Sequence, residues 1–159
     1  AWVEKLIALT QSPDPEMRNL ALTQLGQTSD RSHLERLVAA LEDPHWSTRL
    51  AAMEALEKMR THEGVTAIVN RMPKEEGRMQ SEFAQALWRL TGQPFQEDAK
   101  SWATWWANSK DKFQLLSDAD LATVRSGEEE YRLRQTTRVK SESFGIKITS
   151  RRVLFILDV

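Results

Sequence analysis

Two arginines, Arg18 and Arg49, stand thirty-one residues apart in matching surroundings, and their type suits one kind of chemistry. A guanidinium is planar and forks onto a carboxylate or a phosphate through two parallel hydrogen bonds. A ladder of such side chains either lines a face that grips an acidic ligand or ties one stretch of chain to the next. Asp14 and Asp43 open neighbouring predicted helices, so the tie is the expected use. Trp46 falls in the first turn of a predicted helix, where contact with a partner and local packing are both open to it, and tryptophan is enriched in binding hot spots. Together with Asn19 and Thr48, expected to be exposed beside them, Arg18, Trp46 and Arg49 make up the candidate binding surface.

Other chemistry finds little to work with. His33, His45 and His62 are scattered over turns and helix starts, with no spacing that puts two on one helical face, and they do not compose a metal site. Glu75 and Glu76 adjoin Lys74 in a predicted loop and read as solvated charge. Trp102, Trp105 and Trp106 keep a helical spacing that reads as a cap over an apolar face, in preference to a stacking platform for a base or sugar. The absence of cysteine removes disulfides, thiolate catalysis and zinc held by sulfur. No P-loop, HExxH, GxSxG or dinucleotide-binding fingerprint occurs. The expectation is a protein that is not an enzyme and carries no cofactor.

Charge narrows the partners. With 22 basic and 23 acidic side chains the net charge is -1, which gives no global attraction for nucleic acid or anionic lipid. Arg and Lys alternate with acids through the first two thirds of the chain, and the basic stretch from Arg132 to Arg152 falls in the tail. A protein or peptide partner is expected, and nucleic acid is disfavoured. The opening AWVEKLIALT lacks an initiating Met and is too short and too charged to span a bilayer or act as a signal peptide, so the chain is expected to start inside a longer one. Compartment stays open, because a cysteine-free chain suits the cytosol and export equally.

The elements that must position these residues follow from a repeat. Leu34, Leu37, Val38 and Leu41 recur thirty-one residues later as Val65, Ile68, Val69 and Met72, and one period earlier as Val3, Leu6, Ile7 and Thr10. A second series, Leu25, Leu56 and Leu87 with Ala21, Ala52 and Phe83, keeps the same interval, so one period holds two helices. Self-similarity on this scale marks a solenoid whose units bury their apolar faces by stacking. Predicted helices cover 2–10, 15–25 with Gly26 as the stop, a third from Asp30 or Ser32 through Leu41, a fourth from Asp43-Pro44 through Met59, 62–72, 78–90 and 98–109. In the last, Ala99, Trp102, Ala103 and Trp106 reproduce the apolar spacing at an offset of 34. A short helix is expected within 117–126, and past Gly127 the period shifts towards 2, ending in the apolar run Val153 to Leu157 of a buried strand.

Residues 14 to 109 resemble HEAT-type helical repeats, in particular the short kind related to the phycobilin-lyase HEAT-like family, through the Asp-Pro helix start, the arginine after it and the RLAAMEAL pattern. The stretch LTGQPFQEDAKSWATWWANSKDKF resembles the Trp-rich closing unit of such arrays in multidomain bacterial proteins. SRRVLFILDV resembles the first strand of a von Willebrand factor A domain, with Asp158 at the first acid of its Asp-x-Ser-x-Ser loop. The resemblance implies a Mg²⁺ ligand at Asp158 only in a longer chain that supplies the serines.

The fold class expected is mainly α, a right-handed α-α superhelix of HEAT-like repeats with a short C-terminal β segment. Its parts are repeats over 1–113, a connector over 114–142 and a strand segment over 143–159. The resemblances imply a non-enzymatic interaction scaffold, the amino-terminal repeat module of a larger A-domain protein. Two alternatives share the repeat type: a DNA-glycosylase-like nucleic-acid binder, and a bilin lyase, the latter an analogy of fold alone.

If the A domain's sheet is missing, Val153 to Leu157 is an unpaired apolar strand, expected to pair with the segment around Phe144 to Ile148, to stick to another copy or to be disordered. Light scattering of the 159-residue chain against one ending near Phe113 is expected to show association of the longer form, and equal solubility of the two refutes it.

Overall fold

The computed structural model describes residues 2–117, 119–126, 142–143 and 146–147. Seven helices build the first of two compact units, Ala1–Ser117. They are α1 (Trp2–Leu9), α2 (Pro15–Thr28), α3 (Leu34–Ala40), α4 (Trp46–Met59), α5 (His62–Arg71), α6 (Gly77–Thr91) and α7 (Ala99–Ser109), with single 3-10 turns at Arg31–His33 and Met72–Lys74.

Local chemistry sets their ends. The first N–H groups of a helix have no intrahelical acceptor, and short polar side chains supply one. Asp14 accepts from the Glu16 N–H at 2.9 Å with Pro15 at the first helical position, Thr61 from the Gly64 N–H at 3.0 Å, and Asp98 from the Lys100 and Ser101 N–H groups at 3.1 Å. The second helix of each pair closes on a left-handed residue: Ser29 with φ 54°, Arg60 with φ 47° and Gly92 with φ 69°. Of the three, only Gly92 adopts that conformation without Cβ strain.

Tertiary packing follows the thirty-one-residue register. Leu25, Leu56 and Leu87 are fully buried, as are Ala21, Ala52 and Phe83, and the first-helix series runs Leu6, Leu37, Ile68 and, at its end, Trp102. α1 packs on α2, α3 on α4 and α5 on α6, while α2 stacks on α4, α4 on α6, α3 on α5 and α5 on α7. One continuous apolar core runs through the pairs. The family of helix pairs is thus mainly α and stacked in register, with no described helix long and apolar enough to cross a membrane.

The α2–α4 contact is the most extensive, and Gly26 explains it. Gly26 lies inside α2, which continues to Thr28, and does not end the helix as expected. A Cβ built on Gly26 would fall 2.6 Å from the Ala55 Cβ and 2.8 Å from its Cα, so the missing side chain is what lets the two backbones meet. A glycine in a helix interior costs stability relative to alanine, and here the close approach offsets it.

At the far end α7 closes the stack. Trp102 and Trp106 are buried, whereas Ala103 is exposed, so the offset of 34 holds for the tryptophans and fails at Ala103. The half-buried Trp105 ring takes the space instead, at 5.0 Å from Phe113, 6.0 Å from Phe95 and 6.1 Å from Trp102. The unit extends past Phe113 because Phe113 and Leu115 pack on the core and the Leu116 N–H donates to the Leu90 carbonyl at 3.1 Å. The second unit, Asp118–Val159, contains a helix over 119–126 and the antiparallel pair β1 (Glu142–Ser143) and β2 (Ile146–Lys147), matched Glu142 to Lys147 and Ser143 to Ile146. The strand expected at Val153 to Leu157 and the position of Asp158 lie outside the described residues.

Gly26→Ala is expected to lower unfolding stability by about 1–3 kcal/mol through overpacking. Urea unfolding of Gly26→Ala, Ala55→Gly and the double variant checks this, since the double variant should recover part of the loss and additivity would contradict the contact.

Candidate binding surface

Arg18 and Arg49 carry out the same construction one repeat apart. Arg18 forks onto Asp43 through Nε to Oδ2 at 2.8 Å and Nη2 to Oδ1 at 2.9 Å, while Nη1 donates to the Ser12 and Pro13 carbonyls. Arg49 forks onto Glu75 through Nε to Oε1 at 2.6 Å and Nη2 to Oε2 at 3.0 Å, while Nη1 donates to the Asp43 and Pro44 carbonyls. Each guanidinium therefore closes the turn before its own helix and clasps the turn of the next pair. Position 80, the next in register, is Gln, and the ladder stops there. A further clasp joins α4 to α6, where Arg89 forks onto Glu57 at 2.5 and 2.7 Å.

Glu75 is one residue that reading the sequence placed wrongly. It is buried and not solvated, because two guanidinium groups surround it: Arg71 Nε also donates to its Oε1 at 2.8 Å. Glu76 beside it is exposed. The available signal was the repeat itself, since Glu75 lies one residue past the place where the register predicts a partner for Arg49. Burial alone would push the Glu75 carboxyl up, but the hydrogen bonds from Arg49 and Arg71 and their charges outweigh it and hold it below the usual carboxylate range. Asp43 follows the same pattern: burial raises it, and Arg18 with the His45 N–H brings the net shift down.

The other candidates divide between interior and surface. Thr48 was expected to be exposed and is instead 1 % exposed, its hydroxyl without a hydrogen-bond partner, where the first turn of α4 packs into the array. Asn19 is half-buried and bridges α2 to α4, its Nδ2 donating to Ser47 Oγ at 2.9 Å. Ser47 Oγ lies 2.8 Å from His45 Nδ1. Among the described residues, Trp46 touches this network through His45 alone. It is 55 % exposed in the first turn of α4, with its ring stacked on His45 at a centroid distance of 6.4 Å. A groove of about 590 Å³ opens beside the Arg18–Asp43 clasp, lined by Thr10, Ser12, Arg36, Glu42 and Pro44 among others. That size is within the range of binding clefts.

The structure thus places Arg18 and Asn19 at the seam between the first and second pairs, buries Thr48, puts Arg49 at the seam between the second and third, and leaves Trp46 exposed. His33 is buried, and His62 Nε2 lies 2.7 Å from the Phe113 carbonyl, with its ring 5.7 Å from Trp106. Among the described residues no three His, Cys, Asp or Glu side chains converge as a metal site.

Paired helices repeating in register and clasped by arginine ladders define a helical-repeat protein. Residues 3–88 match the family described as HEAT repeats, and the chain belongs to that family. Comparison with curated proteins and with solved structures finds no match.

Glu75→Gln strands Arg49 in a nearly buried site and is expected to cost about 3 kcal/mol. Glu76→Gln should stay within about 0.5 kcal/mol. Because Asp43 and Glu75 have lowered folded values, their contribution is complete above the ordinary carboxylate range and is lost as pH falls beneath that range through the folded values. Urea midpoints measured against pH check both points, and the acid-side slope should be shallower in Glu75→Gln.

Proposed function

We propose that this chain is a non-enzymatic scaffold that binds a protein or peptide on the surface of its second helices, with Trp46 as an anchor. The observation that carries the reading is Trp46 itself. A large aromatic ring kept more than half exposed in the middle of a repeat array gives up burial that its counterparts Trp102 and Trp106 obtain. The arginines beside it are occupied by internal clasps, which leaves aromatic contact, and not charge, as the main source of affinity. HEAT repeats generally serve as interaction scaffolds, and membership of that family supports the same assignment.

Within this reading the helix pairs wind into a right-handed superhelix of the phycobilin-lyase-like kind. The unit precedes a von Willebrand factor A domain in a longer bacterial protein, with the strand segment at 143–159 as that domain's start. Mg²⁺ enters only there, through Asp158 and the serines of a completed loop, and the repeats need no cofactor. The rival reading, a nucleic-acid binder, has in its favour the basic stretch Arg132 to Arg152, whereas in the repeats Arg18, Arg49, Arg71 and Arg89 are each paired with carboxylates.

Peptides selected from a display library against the chain are expected to lose at least tenfold affinity on Trp46→Ala, with the melting temperature unchanged. Peptides that bind both forms equally would remove Trp46 from the reading. Duplex DNA binding that falls steeply with salt would favour the rival.

A further inference from the structure

Arg71 fills part of the seam between the second and third pairs, and the position one period earlier is Ala40. Arg71 Nε donates to Glu75 Oε1 at 2.8 Å and Nη1 to Glu42 Oε2 at 2.6 Å, so one guanidinium spans from the turn of its own pair to the turn of the pair before. In the first seam the groove of about 590 Å³ opens instead, with Ala40 in its wall. Both acceptors that Arg71 uses have counterparts there. Gln11 stands one period before Glu42, and Asp43 takes the Arg18 fork as Glu75 takes the Arg49 fork. Gln11 and Asp43 line the groove.

Asp43 shows the vacancy atom by atom. Glu75 Oε1 receives both Arg49 Nε and Arg71 Nε, whereas among the described residues Asp43 Oδ2 receives Arg18 Nε alone. A carboxylate oxygen has two lone pairs, so Oδ2 has room for a second donor. Thr48 is a separate sign of an absent partner. It lines the same groove, is 1 % exposed, and its hydroxyl has no hydrogen-bond partner. A buried polar atom left unpaired costs stability, and a donor from a ligand relieves it. The lining carries Glu35, Glu42 and Asp43 against Arg18 and Arg36, so one more guanidinium brings it to balance. Glu42 also reaches Arg71 and Lys74, and Arg36 gives a carboxylate the competing claim on this space.

We propose that the groove receives an arginine side chain of a partner peptide, which forks onto Asp43 and Gln11 as Arg71 does onto Glu75 and Glu42 one seam on. Thr48 Oγ1 is a further acceptor for it. This role presupposes the scaffold reading and names the chemistry of the peptide that the scaffold takes. Pro44 and Thr48 of the groove wall flank Trp46 in the chain, which lets one peptide segment meet both the groove and the exposed ring. Lysine has the charge without the planar fork, and makes only part of the contact.

Display libraries with a fixed arginine, lysine or glutamate among random positions, selected against the 159-residue chain, provide the test. Binders from the arginine library should lose about tenfold affinity or more when lysine replaces that arginine. Ala40→Arg puts the side chain of the next seam inside the groove, and should raise Tm by about 3 °C and abolish binding of those peptides. Gln11→Glu, at an exposed position, copies Glu42 and should strengthen their binding about threefold, a readout that does not depend on how position 40 accepts a larger side chain. Binders that neither substitution affects would overturn the proposal, and if Trp46→Ala still releases them the scaffold reading stands without the groove. Binders from the glutamate library alone, released by Arg36→Met, would overturn it as well, since the groove would then hold a carboxylate.

Discussion

A pair of short helices has apolar residues on more sides than the pair can cover, and this constraint shapes the whole repeat unit. Closing α3 against α4 buries one set of side chains, but Leu37, Ala52 and Leu56 reach zero or near-zero exposure only because α2 lies on one side and α5–α6 on the other. Stability in such an array is a sum over neighbours, so each interface matters as much as each unit. The two ends of the row meet the constraint differently. α7 turns the last apolar face inward with Trp102 and Trp106, while the first pair keeps Trp2, Met17 and Leu20 at the surface.

Apolar stacking does not by itself say where one pair must sit along the next, and the charged clasps supply that. Arg18 to Asp43 and Arg49 to Glu75 are bidentate, mostly buried and anchored on two carbonyls each, so a slip of one turn would strand charges away from water. Gly26 against Ala55 has a similar effect sterically, since a side chain at position 26 would hold the two backbones apart. Using the arginines this way has a functional side. The side chains with the strongest capacity to hold an acidic ligand are turned inward, and the exposed chemistry of the repeats shifts to Trp46 and its neighbour His45.

The repeat and its two-helix unit were legible from the sequence because burial by stacking imposes a fixed interval on apolar residues, and an interval can be read without coordinates. The helix start at Pro15 was legible for a similar reason, because a cap such as Asp14 acts over two or three residues. The identity of the clasps was legible in part. Arg18 and Arg49 are in register, and Asp43 was an available partner, but Glu75 falls one residue past the register in a charged segment that resembles any solvated loop.

What only the tertiary structure decided are contacts between residues distant along the chain. Thr48 is polar and carries no local signal of burial, yet the packed array buries it. Gly26 has the composition of a helix stop and acts as a contact point, because the partner that requires it, Ala55, lies twenty-nine residues away. Ala103 shares the spacing of buried residues and faces water, since the larger Trp105 ring takes the available space. The sequence by itself determined the period, the helical class and the residues able to pair. Three-dimensional packing decided which of them meet, because burial and pairing depend on what the neighbouring repeat presents, and residue type at one position does not encode that.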